Sequence, residues 1–203
     1  MYENFLTIKI FVMKVGLYFG SFNPVHIGHL AIANYIVEFT DINQLWFVLS
    51  PQNPLKKKTS LLEDYDRYEL LKKAIGEDHK FQICDIEFRL PKPSYTIDTL
   101  TYLKERNPGY NFVLIMGSDV LPTFHKWKNH EEITKNYQRY IYPRPGFENI
   151  NLKEHKNIKV IKAPLMEVSS SFIRKALKQG KNVKYFLPGE VHKYILKKHL
   201  YDS

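Results

Sequence analysis

The sequence predicts an α/β protein built on a doubly wound parallel sheet with helices on both faces. Three observations carry that expectation. Six short apolar, strand-like runs alternate with helix-like stretches along most of the chain, which is the spacing of βα units. Connections between successive parallel strands are almost always right-handed, so the helices come to cover both faces of one sheet. Small-residue and polar turns follow the strand ends, where ligands meet such sheets.

The first strand-like run covers residues 14–19 and contains Val15-Gly16-Leu17-Tyr18-Phe19; it feeds the turn Gly20-Ser21-Phe22-Asn23-Pro24-Val25-His26-Ile27-Gly28-His29 and an apolar helix-like run over 30–39. Residues 45–49 form the second strand, followed by a polar loop at 52–60 and a helix at 65–75. The third strand, 81–84, leads through Pro93-Ser94-Tyr95-Thr96 into a helix over 96–106. The fourth, 111–116, ends on Gly117-Ser118-Asp119, ahead of a short helix at 131–136. The fifth, 139–142, reaches Arg144 and a polar segment over 144–156. The sixth, 158–161, precedes Val168-Ser169-Ser170-Ser171-Phe172-Ile173-Arg174 and a helix over 170–179. A last helix, 189–200, carries Lys193, Lys197 and Lys198 late, where cations complement the helix dipole.

Composition narrows the function classes. A chain of 203 residues supports one well-buried core, and the expected organisation is a single domain over 13–203. Residues 1–12 are expected to be an extension: Glu3 and Lys9 interrupt the apolar run, and Met13-Lys14 sits directly before the first strand. The alternative is that Ile8, Ile10 and Val12 lengthen that strand. One cysteine, Cys84, leaves no intramolecular disulfide and fits a reducing cytoplasm. No apolar run reaches membrane-spanning length. The formal net charge of +9 is spread over dispersed lysines, with local clusters at Lys56-Lys57-Lys58 and near the C-terminus. Such a balance attracts small polyanions such as nucleoside triphosphates as well as nucleic acids. Charge alone does not separate these partners.

The turn from Gly20 to His29 carries the most chemistry. A helix start offers unpaired N–H groups and a partial positive charge, a ready phosphate cradle. Gly20 and Gly28 let backbone approach a ligand, and Pro24 stiffens the turn. His26 and His29, three apart on one helical face, can donate toward the same point. Half a zinc site or structural histidines are the alternatives, although no closing ligand pair is evident. Around Val168–Arg174, the serines can cap a helix start, while Arg174 opposes the dipole of its own helix, a position that an anionic partner would explain. Function is expected for Ser169, Ser171 and Arg174, and capping for Ser170. Lys56 can approach a phosphate or face water. Trp127 can stack on a flat ring or fill the core. Asp119 can accept from ribose hydroxyls or cap a helix, and the default for Tyr95 and Thr96 is capping, although an exposed helix start there would bind a carboxylate.

Taken together these segments resemble a known group. GSFNPVHIGH is similar to the opening motif of the nucleotidyltransferase superfamily that transfers AMP or CMP, and VSSSFIR resembles its second signature. DIEFRLPKPSYTIDTL, MGSDVLPTFHKW and Tyr142-Pro143-Arg144-Pro145-Gly146 resemble bacterial nicotinate-nucleotide adenylyltransferases, and the likeness runs from Met13 to the C-terminus. It implies a Rossmann-like fold of nucleotidyltransferase type. The implied reaction joins ATP and nicotinate mononucleotide, with Mg2+, into deamido-NAD and pyrophosphate by direct attack on the α-phosphate. The resemblance implies the small polyanion as partner, with no nucleic acid and no membrane, and a homo-oligomer is allowed. It also implies site roles. His26 and His29 would contact the ATP phosphates, cradled by Gly20, Ser21 and Phe22. Ser169, Ser171 and Arg174 would hold the triphosphate, and Gly117 and Asp119 would bound the nucleoside. Asn23, Lys56 and Arg144 belong to the mononucleotide side, with Lys56 near its phosphate. Tyr95 and Thr96 would offer N–H groups to the nicotinate carboxylate, and Trp127 would stack on the pyridine. Asn23 stands where the bacterial group commonly has Asp, and Ser171 where Thr is frequent. The rivals are another adenylyltransferase, accepting nicotinamide mononucleotide or pantetheine phosphate, and a non-catalytic nucleotide-binding module. His26-Ile27-Gly28-His29 also matches a class I aminoacyl-tRNA synthetase signature, but no KMSKS-like loop accompanies it.

Overall fold

The computed structural model describes residues 12–51, 61–147 and 157–202. The expectations for residues 1–11 and for Lys56 lie outside the described residues.

Among the described residues six strands and six helices follow one another in the expected order. In chain order they are β1 (Met13–Gly20), α1 (Ile27–Phe39), β2 (Gln44–Leu49), α2 (Asp64–Ile75), β3 (Phe81–Cys84), α3 (Thr96–Arg106), β4 (Tyr110–Gly117), α4 (His130–Asn136), β5 (Gln138–Tyr142), β6 (Ile158–Val160), α5 (Ser170–Lys178) and α6 (Gly189–Lys197). The last helix is shorter than its apolar pattern suggested, because His199 and Tyr201 take left-handed φ values of 51° and 71°. Among the described residues three 3-10 segments were not anticipated: Ile86–Phe88, Ser118–Lys126 and Lys184–Phe186.

The strands pair in the order β3-β2-β1-β4-β5-β6, and every pairing is parallel. The chain therefore winds outward from β1 to β3, returns to the centre, and winds outward again from β4. Where the direction reverses, the loops after β1 and β4 diverge and leave a crevice beyond their carboxyl ends.

Strand alternation divides the apolar residues between the two faces. Val15 and Leu17 of β1 with Phe112, Leu114 and Met116 of β4 pack beneath α3, α4 and the 3-10 segment after β4. Tyr18, Val113 and Ile115 point the other way, into a core shared with Ile36, Leu70, Ile173 and Ile195 from α1, α2, α5 and α6. Each such fully buried side chain contributes about 1.5–3 kcal/mol. The two cores fix β1 and β4 from both sides, and the crevice inherits that rigidity.

Candidate active site

The crevice begins where β1 ends. The Gly20 carbonyl accepts the Ser50 N–H at 3.0 Å, which ties the end of β1 to the end of β2. Phe22 then turns the chain with a left-handed φ of 43° while its ring is buried. His26 is extended and forms the N-cap of α1, and His29 is the third residue of that helix. The two histidines therefore flank a helix start rather than both lying on one helical face. Their rings stack at 3.7 Å. The His26 N–H donates to His29 Nδ1 at 3.3 Å, so the proton of a neutral His29 ring resides on Nε2. A Cβ at Gly28 would lie 3.0 Å from His26 Nδ1 and press on that ring.

Burial first, then the Arg144 charge, lowers His26 to about 4. Burial, the neighbouring His26 and Arg144 hold His29 well below the usual imidazole value. Both rings are neutral at pH 7 without ligand. A polyphosphate beside them acts in the opposite direction, favouring the protonated forms.

The second signature docks directly on this turn. Arg174 Nη1 donates to the Asn23 carbonyl at 2.7 Å across 151 positions of sequence, and Ser170 Oγ donates to the Pro24 carbonyl at 2.9 Å. Arg174 Nη2 meets Ser171 Oγ at 3.3 Å. Two expectations change. Ser169, not Ser170, is the N-cap of α5, its Oγ accepting the Phe172 N–H at 3.2 Å, and Ser170 is the fastening to Pro24. The shift by one residue arises because docking on Pro24 draws Ser170 into the first helical turn.

Asn23 is also recast. It borders the crevice but is buried, and its Oδ1 accepts the Tyr201 hydroxyl at 2.7 Å and the Leu62 N–H at 3.4 Å. An amide with its oxygen so occupied braces the turn. Arg144, expected on the mononucleotide side, lies beside Gly117 and Asp119, with Nε 3.8 Å from the Asp119 carboxylate, and its charge reaches both histidines. Its N–H donates to Ser118 Oγ at 2.8 Å. A Cβ on Gly117 would overlap the Asp119 carboxylate and lie 2.9 Å from Arg144 Cγ; only glycine admits both.

Across the crevice, Tyr95 is the N-cap of α3 and Thr96 its first residue, so their turn presents a helix start. Trp127 ends the 3-10 segment, half-buried, with its ring 5.4 Å from Phe124. Lys128 joins these two walls: Nζ donates to both Asp98 carboxylate oxygens at 3.0 and 2.9 Å and lies 4.8 Å from the Tyr95 ring centre. Beneath the turn, buried Glu87 accepts from Ser94 Oγ at 3.1 Å and Thr99 Oγ1 at 2.8 Å. Burial raises its pKa, against these hydrogen bonds and one from Ser50.

All the described candidates line one cavity of 810 Å3: the β1–α1 turn with both histidines, Gly117 and Asp119, Tyr95 and Thr96, Trp127, Arg144, and Ser169, Ser171 and Arg174. Glu87, Ser94, Lys128, Tyr18 and Tyr142 line it too and were not singled out from sequence; their side-chain types carry no local signal. Among the described residues no group of three or more His, Cys, Asp or Glu could hold a metal ion, and no helix is long and apolar enough to cross a membrane.

A helix start bearing two stacked imidazoles, a guanidinium docked on the turn that leads into it and an aromatic wall opposite, all at the switch point of a doubly wound sheet, are the features of a nucleotidyltransferase site. Comparison with known proteins agrees. Residues 17–176 match the cytidylyltransferase-like family. A protein named "Probable nicotinate-nucleotide adenylyltransferase" from Cytophaga hutchinsonii is 50% identical over 191 residues, 94% of this chain and 100% of that one. One of the same name from Flavobacterium johnsoniae is 51% identical over 185 residues, 90% of this chain and 96% of that one. Among solved structures, Plasmodium falciparum nicotinic acid mononucleotide adenylyltransferase complexed with NaAD aligns with a TM-score of 0.80 at 25% identity, over 94% of this chain and 98% of that one. The chain belongs to the nicotinate-nucleotide adenylyltransferase family.

Proposed function

We propose that this protein transfers AMP from ATP to nicotinate mononucleotide, forming deamido-NAD and pyrophosphate. The observation that carries the reading is the docking of Arg174 on the turn that leads into His26 and His29. In this reading a phosphate oxygen of the mononucleotide attacks the α-phosphorus of ATP in line. The bond from that phosphorus to the bridging oxygen breaks, and its electron pair leaves on pyrophosphate. No side chain need form a covalent intermediate; the protein contributes position and charge.

His29 Nε2–H and the α1 N-terminus face the polyphosphate where negative charge grows, and Arg174 neutralises the departing pyrophosphate. The backbone of Gly20, Ser21 and Phe22 lines the same cradle, the Phe22 ring being committed to the core. Gly117, Asp119 and Arg144 bound the nucleoside end, while Ser169 and Ser171 border the phosphates. Mg2+ enters as the cation of the substrate MgATP, shielding phosphate charge. The start of α3 at Tyr95 and Thr96 offers backbone N–H donors, which suit a carboxylate; a carboxamide would also need an acceptor placed for its NH2 group. That favours the acid over the amide. The one cysteine, Cys84, is a buried thiol raised to about 11 by burial, in keeping with a reducing cytoplasm.

The test is pyrophosphate release from ATP with nicotinate mononucleotide, nicotinamide mononucleotide or pantetheine phosphate as acceptor. The expected result is fastest release with the nicotinate form; release favouring another acceptor, or none with any, would overturn the assignment. In the same assay Trp127→Ala is expected to raise KM for the mononucleotide about 5- to 150-fold, the ~1–3 kcal/mol of a lost stacking platform, with KM for ATP little changed. An unaltered mononucleotide KM would remove Trp127 from the site.

A further inference from the structure

Arg67 lies on α2, behind the crevice rather than in it, and has no solvent exposure. Its nitrogens reach four places. Nη1 donates to the carbonyls of Ser21 at 3.0 Å and Ser50 at 2.7 Å, Nε donates to the carbonyl of Leu62 at 3.1 Å, and Nη2 pairs with Asp64. Burying a guanidinium is costly, and a well-packed apolar side chain is often the more stable choice at such a position. An apolar side chain cannot, however, hold three carbonyls from three segments at once, which is what the rigid guanidinium fork does.

The three carbonyls are not arbitrary. That of Ser21 belongs to the peptide entering Phe22, whose left-handed φ of 43° is costly for a non-glycine residue. In a trans peptide C=O and N–H point in opposite directions, so anchoring the Ser21 carbonyl on Arg67 turns the Phe22 N–H away from α2. Ser21 and Phe22 both line the crevice, and Arg67 does not. Ser50 and Leu62 are the two stems of the connection from β2 to α2. Leu62 is held twice, since its N–H also donates to Asn23, whose own carbonyl takes Arg174.

We propose that Arg67 is a positioning residue for the transfer reaction: its buried fork keeps the polyphosphate turn and both stems of the β2–α2 connection in one relative geometry. The proposal rests on the adenylyl-transfer reading above. Arg67→Lys tests it, because an ammonium keeps the charge but not the planar fork. Pyrophosphate release, both KM values and Tm are measured for the folded variant. A kcat lowered at least tenfold, with each KM rising by less than that factor, is the expected result. A folded Arg67→Lys with lower Tm but kcat within twofold of wild type would show a purely structural role and overturn it. Should Arg67→Lys not fold, Asp64→Asn keeps the guanidinium and removes only the carboxylate that orients Nη2. There, kcat lowered threefold or more at unchanged Tm supports the proposal, and unchanged kcat overturns it. Wild-type protein inactive toward ATP and nicotinate mononucleotide would instead defeat the reaction itself.

Discussion

His29→Ala is expected to lower kcat by about 10²–10³-fold, ~2.7–4 kcal/mol, the usual loss when one preorganised donor to developing charge is removed. The reason lies in the orientation of its ring. Because Nδ1 accepts the His26 N–H, Nε2 is left as the donor. The stacked His26 ring and the start of α1 hold that donor before substrate arrives. Losing the Nδ1 contact costs stability by roughly 0.5–1.5 kcal/mol, so Tm should fall only by several degrees and the fold should survive. KM for the mononucleotide should change little, since the interaction strengthens as charge passes onto pyrophosphate. Steady-state kinetics with a thermal scan make the check. Turnover within threefold of wild type would remove His29 from the chemistry.

Arg174→Ala is the second large effect. The variant removes the 2.7 Å hydrogen bond that pins the Asn23 carbonyl and, in the proposed reaction, the charge that would face the departing pyrophosphate. Hydrogen bonds to charged groups contribute about 1.5–3 kcal/mol each, so kcat/KM for ATP should fall by roughly two to three orders of magnitude. Arg174→Lys should recover only part, because an ammonium cannot serve Asn23, Ser171 and a phosphate as a fork does. Mononucleotide affinity should be the least affected quantity. A variant whose sole defect is in mononucleotide KM would place Arg174 on the wrong substrate.

Most of the fold was legible because it is written locally. Each apolar run of strand length became a strand, and the turn from Gly20 to His29 announced a strand–turn–helix whatever surrounded it. Strand order was not legible: nothing within β1 states that β2 and β4 will be its neighbours. The 3-10 segment Ser118–Lys126 was not anticipated, and Pro122 lies inside it. A signal was nevertheless present, since its buried residues Ser118, Leu121 and Phe124 recur every third position, the period of a 3-10 helix. Trp127 continues that row. The residues that brace the site from behind were invisible for a different reason. Arg67 lies among charged neighbours in Asp64-Tyr65-Asp66-Arg67 and reads as one more solvent-facing charge; only the packing of α2 against the ends of β1 and β2 buries it. Glu87 is similar, its partners Ser94 and Thr99 lying on another element. The exchange of roles between Ser169 and Ser170 shows the limit on caps: which of several serines takes the extended conformation is decided by the distant Pro24 carbonyl.

The central claim is that the crevice transfers the adenylyl group directly, by position and charge, without a protein nucleophile. The stereochemical course at phosphorus tests this most directly, using ATP made chiral at the α-phosphorus by a sulfur atom and nicotinate mononucleotide as acceptor. A single in-line displacement inverts the configuration, and inversion in the dinucleotide product is the result predicted here. Retention would mean two displacements and an adenylylated side chain between them, and would contradict the account.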